Sequence, residues 1–263
     1  MKTKITSKQI ALIAVFSALY AVFRIIPIGP MIGLSSSFSL SDALAPLIGI
    51  ILGPFSGGLT IIIGTFSAMA LGKAPVFLGL DFLPAFVNAV AVGFLIRRKW
   101  LPVVSLYATV LAIFLLSPYT LLFVQVGSIP VPFMWMHLLA LIVLLSPISS
   151  KAIANIRKTN IAYIALSIAV LAFIGTMLQH LTGNLLFQLV FGQPIGGYTT
   201  EIFAGYWNMI FYAYPIERTL MIIITTLIGV PLIKILKQSV LPFEDPTTDK
   251  TKHEKTPTTN QPI

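Results

Sequence analysis

The chain has 263 residues, 57% of them hydrophobic and 10% charged, with a mean hydropathy of +0.94. No soluble core absorbs that much apolar sequence, so composition excludes a water-soluble globular fold and marks a polytopic membrane protein. The absence of cysteine excludes disulfides and thiolate metal sites, and the formal charge of +9 comes from basic residues between apolar runs, a positive-inside pattern rather than a nucleic-acid surface.

Lys2, Lys4 and Lys8 precede an apolar run from Gln9 to Ile28. The run is too long for a signal peptide and lacks a small-residue cleavage site, so it reads as an uncleaved first helix. Ala14 and Ala18 form one small-xxx-small pair on it, and Ser17 and Ala21 form another. Such a stripe is either a seam inside the bundle or a docking face for a partner helix. Residue types alone place internal packing first.

From Ser35 to Gly72 two apolar limbs meet at Gly53-Pro54, with Gly49, Gly53, Gly57, Gly58 and Gly64 running through them. Proline cannot continue a helix in mid-span and glycine favours a turn, so the stretch reads as a hairpin of two helices. Its open end carries Asp42 and the serines before it. At ~1.5 Å per residue the first limb, Ser41 to Gly53, spans roughly 20 Å of a ~30 Å core. It is therefore expected to be tilted, kinked at Pro46 or only partly spanning.

A helix from Leu83 to Ile96 follows, closed by Arg97, Arg98 and Lys99. The next runs from Leu101 to Phe123 with a break at Pro118, and the segment Gln125–Pro132 reads as a loop. Further helices are expected from Phe133 to Ile148 and from Ile161 to His180, joined by a link with Lys151, Arg157 and Lys158. The stretch from Thr182 to Asn208, rich in Gly, Asn, Gln and aromatics, does not read as a span. The last helix runs from Tyr214 to Leu236 with Pro215 in its first turn, where proline is tolerated. Residues 1–238 thus form a single transmembrane domain, and residues 239–263 a disordered cytoplasmic tail. The fold class is an all-α polytopic membrane protein of about eight transmembrane helices. With Ser35–Gly72 as two spans, all 17 Lys and Arg except Arg24, Lys73 and Arg218 fall on one side, which puts both termini in the cytoplasm.

Ahead of the tail the acids are Asp42, Asp81, Glu201 and Glu217, and in this topology all lie near the outer helix ends. Ionisable groups near membrane depth are costly and tend to face a cavity or one another. Asn88, Tyr206, Trp207, Asn208 and Arg218 lie near them, and with the acids they form the candidate substrate site. The bland reading is that Trp207 belongs to an interfacial aromatic belt and that Glu217 and Arg218 only pair with neighbours. The belt does not explain why one face has the acids and amides while the other has short basic links. His137 and His180 have no acid or histidine at metal-ligand spacing, and neither a metal nor a cofactor is expected. No HExxH, GxSxG, P-loop or GxGxxG is present, so no enzyme activity is expected and any transport must draw on another protein's ATP hydrolysis. A membrane enzyme using Glu217 or His180 as an acid–base group is the weakest reading, because no motif places a partner for either.

Three stretches in order resemble the substrate-binding S components of energy-coupling-factor transporters. They are KQIALIAVFSALYAVFRIIPI, with Ala14 and Ala18 matching an AxxxA pattern; SDALAPLIGIILGPFSGGLTIIIGTFSA, with its L-G-P turn; and YPIERTLMIIITTLIGVPLIKIL, a proline-led helix with a basic end. The resemblance covers Lys8–Ala70 best, the last helix moderately and the middle not at all. It implies a plasma-membrane subunit that captures a vitamin or similar small-molecule micronutrient. Such a subunit docks on a transmembrane coupling subunit carried by two ATPase subunits, with Ala14 and Ala18 as the docking face. Two departures stand out. Members of that family have about six helices, and the Met-His start of nickel and cobalt members is replaced by Met1-Lys2-Thr3. The ligand implied is therefore organic. The competing class is a membrane scaffold or assembly protein of the same fold with no transported ligand.

Overall fold

The computed structural model describes residues 6–34 and 37–239. Lys2, Lys4, Ser35, Ser36 and the tail from residue 240 lie outside the described residues. The protein is an all-α membrane protein: its helices carry apolar side chains outward, among them Val15, Phe55, Leu116, Ile142 and Leu227, each more than half exposed. Among the described residues four helices can cross a membrane by length and composition, and a fifth span exists if the bent pair described below crosses as one.

The first helix, α1, is Ser7–Ile25, capped by Thr6. It stops earlier than the apolar run does. Pro27 disfavours helical backbone at Ile26, and Pro27–Pro30 becomes strand β1, paired antiparallel with β2, Ser37–Ser39. The small-residue pairs of α1 separate by face. Ser17 and Ala21 are buried, whereas Ala14 and Ala18 are exposed. Ser17 Oγ donates to the Thr60 carbonyl at 3.2 Å, so the internal seam is the Ser17 pair. This corrects the expectation that the whole stripe packs internally.

Helix α2, Ala45–Ala70, is long enough to cross as one rod, but it doubles back. Gly53 has φ 75° and ψ −175°, outside the helical region, and Pro54 starts the second limb. A Cβ on Gly57 would lie 3.6 Å from Gly49 Cα, a contact that only a reversed chain brings about. The first limb is thus Ala45–Leu52, roughly 12 Å at ~1.5 Å per residue, shorter than the expected limb from Ser41 and far from spanning. Helix α3, Leu83–Ile96, lies beside it in the same direction: Gly49 faces the Ala89 backbone, and Gly93 faces Gly53-Pro54. A side chain at Gly49 or Gly93 would meet backbone that cannot move aside. Gly49→Leu is expected to lower stability by about 1–3 kcal/mol, read as a fall in melting temperature of the purified protein.

Helix α4, Trp100–Leu116, ends at Ser117 ahead of Pro118. The segment read as the end of a helix and a loop is a β-hairpin instead. Strand β3, Phe123–Val126, pairs with β4, Ile129–Pro132, around Gly127 at φ 63°. The expected helix Phe133–Ile148 is two pieces, α5 Trp135–Leu145 and α6 Pro147–Asn155, bent by 68°. Pro147 opens α6 and Ser146 caps it, accepting from the Ile148 N–H at 3.2 Å.

The largest departure concerns the last two helices. α7 is Ile161–Phe191 and continues past His180, while α8 is Thr200–Ser239 and begins well before Tyr214. Pro215 and Pro231 lie inside α8, not at its start. The stretch 182–208 had too many polar residues to read as a span. In the fold Gln179, His180, Asn184 and Gln188 recur near helical spacing on the buried side of α7. Lys237 at the far end of α8 donates to the carbonyls of Ile156 and Lys158, and Arg97 packs on Gly53, so the Lys158 and Arg97 links each meet the end of another element.

Candidate functional site

At one end of the bundle the β1–β2 turn, the two 3-10 turns that carry Asp42 and Asp81, and helices α7 and α8 surround a cavity. It encloses about 970 Å³ of empty space, counting its open mouth. Phe38, Phe77 and Phe187 give it aromatic walls, and among the described residues seven ionisable side chains reach it: Arg24, Lys73, Arg218, His180, Asp42, Asp81 and Glu217.

Asp81 is held by its own loop. Its carboxylate accepts the Val76 N–H at 2.8 Å and the Phe77 N–H at 3.0 Å. Arg24 Nη2 lies 4.0 Å from that carboxylate and donates to the Asp81 carbonyl at 3.2 Å. The last turn of α1 is thereby tied to the start of α3. Asp42 is fixed from α7: Gln179 Nε2 donates to Asp42 Oδ1 at 2.9 Å, and Asn88 Nδ2 donates to Gln179 Oε1 at 2.7 Å. Asn88 can lie there because α7 carries Gly175 at the crossing; a side chain at that position would collide with the amide.

On the α8 side Arg218 is 1% exposed, its guanidinium 4.7 Å from the Phe38 ring centre. Its ion-pair partner is Glu217 at 3.7 Å. Arg218 follows Tyr214 by one helical turn, and Tyr214 stacks on His180 with ring centres 5.1 Å apart. His180 in turn meets His137, Nδ1 to Nε2 at 3.0 Å. Among the described residues no group of three or more His, Asp or Glu could hold a metal ion.

Of the residues chosen from sequence, Asp42, Asp81, Glu217 and Arg218 line the cavity, and Asn88 stands behind it. Tyr206 sits one layer out, packed with Phe187 against the bare backbone of Gly33. Three others point elsewhere. Glu201 is exposed and accepts from the Thr200 hydroxyl; Asn208 is exposed and donates to the Ala204 carbonyl of its own helix. Trp207 is fully buried in an aromatic cluster with Phe114, Phe133 and Phe203, and its Nε1 donates to the Tyr119 carbonyl. It is neither a cavity wall nor part of an exposed aromatic belt. Residues absent from that choice reach the cavity: Arg24, Lys73, Gln179, His180 and Asn184. The i, i+4 spacing of His180 and Asn184 was the available signal, and it shows only once α7 is continued to Phe191.

The fold and site together define a class, an all-α membrane protein with a charged, aromatic-walled cavity at one end of its bundle. Comparison with protein-family models, curated proteins and solved structures finds no match to the chain.

Proposed function

We propose that this protein is the substrate-binding subunit of an energy-coupling-factor type importer in the plasma membrane. It takes an organic micronutrient into the cavity between α7, α8 and the β1–β2 turn, and it docks on a coupling subunit driven by two ATPase subunits. One observation carries the reading: Arg24, Lys73, Arg218, Asp42, Asp81 and Glu217, drawn from distant parts of the chain, converge on one cavity with aromatic walls. The exposed Ala14 and Ala18 on the outer face of α1 support the docking half, because small side chains let a foreign helix approach closely.

Native mass spectrometry of the protein purified in mild detergent tests the binding half. A co-purifying small molecule, lost on mild unfolding, is the expected result. A bare protein whose melting temperature does not respond to any extract of its own host cells favours a scaffold. In this reading the cavity opens outward and Arg97–Lys99 lies in the cytoplasm. The chain has no cysteine, which makes this simple to check. Ser128→Cys, at the exposed β3–β4 turn, is expected to react with an impermeant thiol reagent in intact cells, and Lys99→Cys only after lysis. The opposite pattern would invert the topology and close the cavity to external ligand.

A further inference from the structure

Among the described residues four buried polar atoms of cavity-lining side chains have no hydrogen-bond partner: Nε of Arg24, Nδ2 of Asn184, and Nε and Nη2 of Arg218. All four are N–H donors. The acids are in a different condition. Asp81 and Asp42 accept from the backbone and from Gln179, and Glu217 lies 3.7 Å from Arg218, beyond hydrogen-bonding range. A guanidinium has no acceptor of its own and does not lose its proton, so Arg218 cannot relieve the shortage. The cavity holds carboxylates, but none of them is hydrogen-bonded to these four donors.

His180 adds to the donors. It precedes Asn184 by one turn of α7, and its stacking on Tyr214 sets it one turn of α8 from Arg218. His137 Nδ1 is buried without a partner among the described residues. Were His180 Nδ1 the donor to His137 Nε2, His137 would carry its proton on that orphaned nitrogen. An unpaired buried N–H is rarer than an unpaired acceptor, so His137 Nε2 donates and His180 keeps its proton on Nε2.

We propose that the ligand is an organic monocarboxylate, its carboxylate held between Arg218 and the His180–Asn184 row and its apolar body against Phe38, Phe77 and Phe187. The lining is charge-balanced, Arg24, Lys73 and Arg218 against Asp42, Asp81 and Glu217, so the carboxylate is assigned on the unpartnered N–H donors and not on net charge, and nothing in the lining favours a second negative charge. The inference rests on the reading that the cavity holds a ligand.

Three probes of one shape separate the chemistries: 3-phenylpropanoate, 3-phenylpropanamide and 3-phenylpropylamine. Their binding to the full chain in detergent is read by calorimetry or saturation-transfer NMR. The acid is expected to bind roughly 10- to 100-fold more tightly than the amide, the range for charge-assisted hydrogen bonds. Arg218→Met and Asn184→Leu should each bring the acid down toward the amide. Asn184→Leu leaves every ion pair in place and keeps the test valid should the Arg218 variant fail to fold. Amide or amine binding as tightly as the acid overturns the carboxylate while leaving a ligand site. Preference for the acid that survives Asn184→Leu in a folded protein overturns the assigned position. No binding by any of the three overturns the carboxylate pocket, and the co-purified mass then decides separately whether the cavity binds at all.

Discussion

Replacing Asp81 by alanine is expected to cost about 3–5 kcal/mol, the range for removing one partner of a buried pair. The Asp81 side chain is 4% exposed and that of Arg24 is 11% exposed. Alanine would strand the Arg24 charge and, in the same step, leave the Val76 and Phe77 N–H groups without their acceptor. The loop between α2 and α3 forms one wall of the cavity, so ligand capture should fail with it. Asp81→Asn keeps one carbonyl acceptor for the loop and is expected to fall between wild type and alanine. Tryptophan fluorescence during heating measures both variants. An unchanged melting temperature for Asp81→Ala would mean that Arg24 finds another partner and the wall holds without its anchor.

Tryptophan at both Ala14 and Ala18 is expected to abolish uptake in cells that carry the coupling subunit and ATPases, with melting temperature and ligand binding close to wild type. Both positions are exposed on α1, and the cavity touches that helix only at Arg24. Bulk there holds a partner helix away without disturbing the bundle. The matched control is the other face. Ser17→Leu with Ala21→Leu pushes into the seam, where Ser17 meets the Thr60 carbonyl and Gly64 lies against Tyr20. Overpacking there should lower stability by about 1–3 kcal/mol per site. Uptake that survives the Ala14/Ala18 double variant would remove the docking face, and with it the feature that separates a transport subunit from a scaffold.

The membrane class, the hairpin at Gly53-Pro54 and the gathering of Asp42, Asp81, Glu217 and Arg218 at one end were legible in the residues alone. Each rests on a property that survives in one dimension. Apolar excess demands lipid, proline removes a donor and blocks the preceding turn, and charge is too costly to scatter through a span. Rotational phase is different. Trp207 and Asn208 are adjacent in sequence and similar in polarity of context, yet one is the centre of an aromatic cluster and the other faces outward. Which neighbour turns inward depends on how α8 packs on α7. The same packing explains why polar content misled over 182–208: a row of amides and a histidine is compatible with a helix when it faces its own bundle.

By itself, then, the sequence determined that this is a helical membrane protein with its ionisable chemistry at one end, since hydropathy and proline act locally. The tertiary structure alone decided that α7 and α8 are long, that Gln125–Pro132 closes as a hairpin, and that Arg218 and Asn184 point unpartnered donors into a shared cavity. Those are facts about which helix faces meet. They depend on contacts between residues far apart in the chain, such as Gln179 with Asp42 and Asn88, which no local pattern encodes.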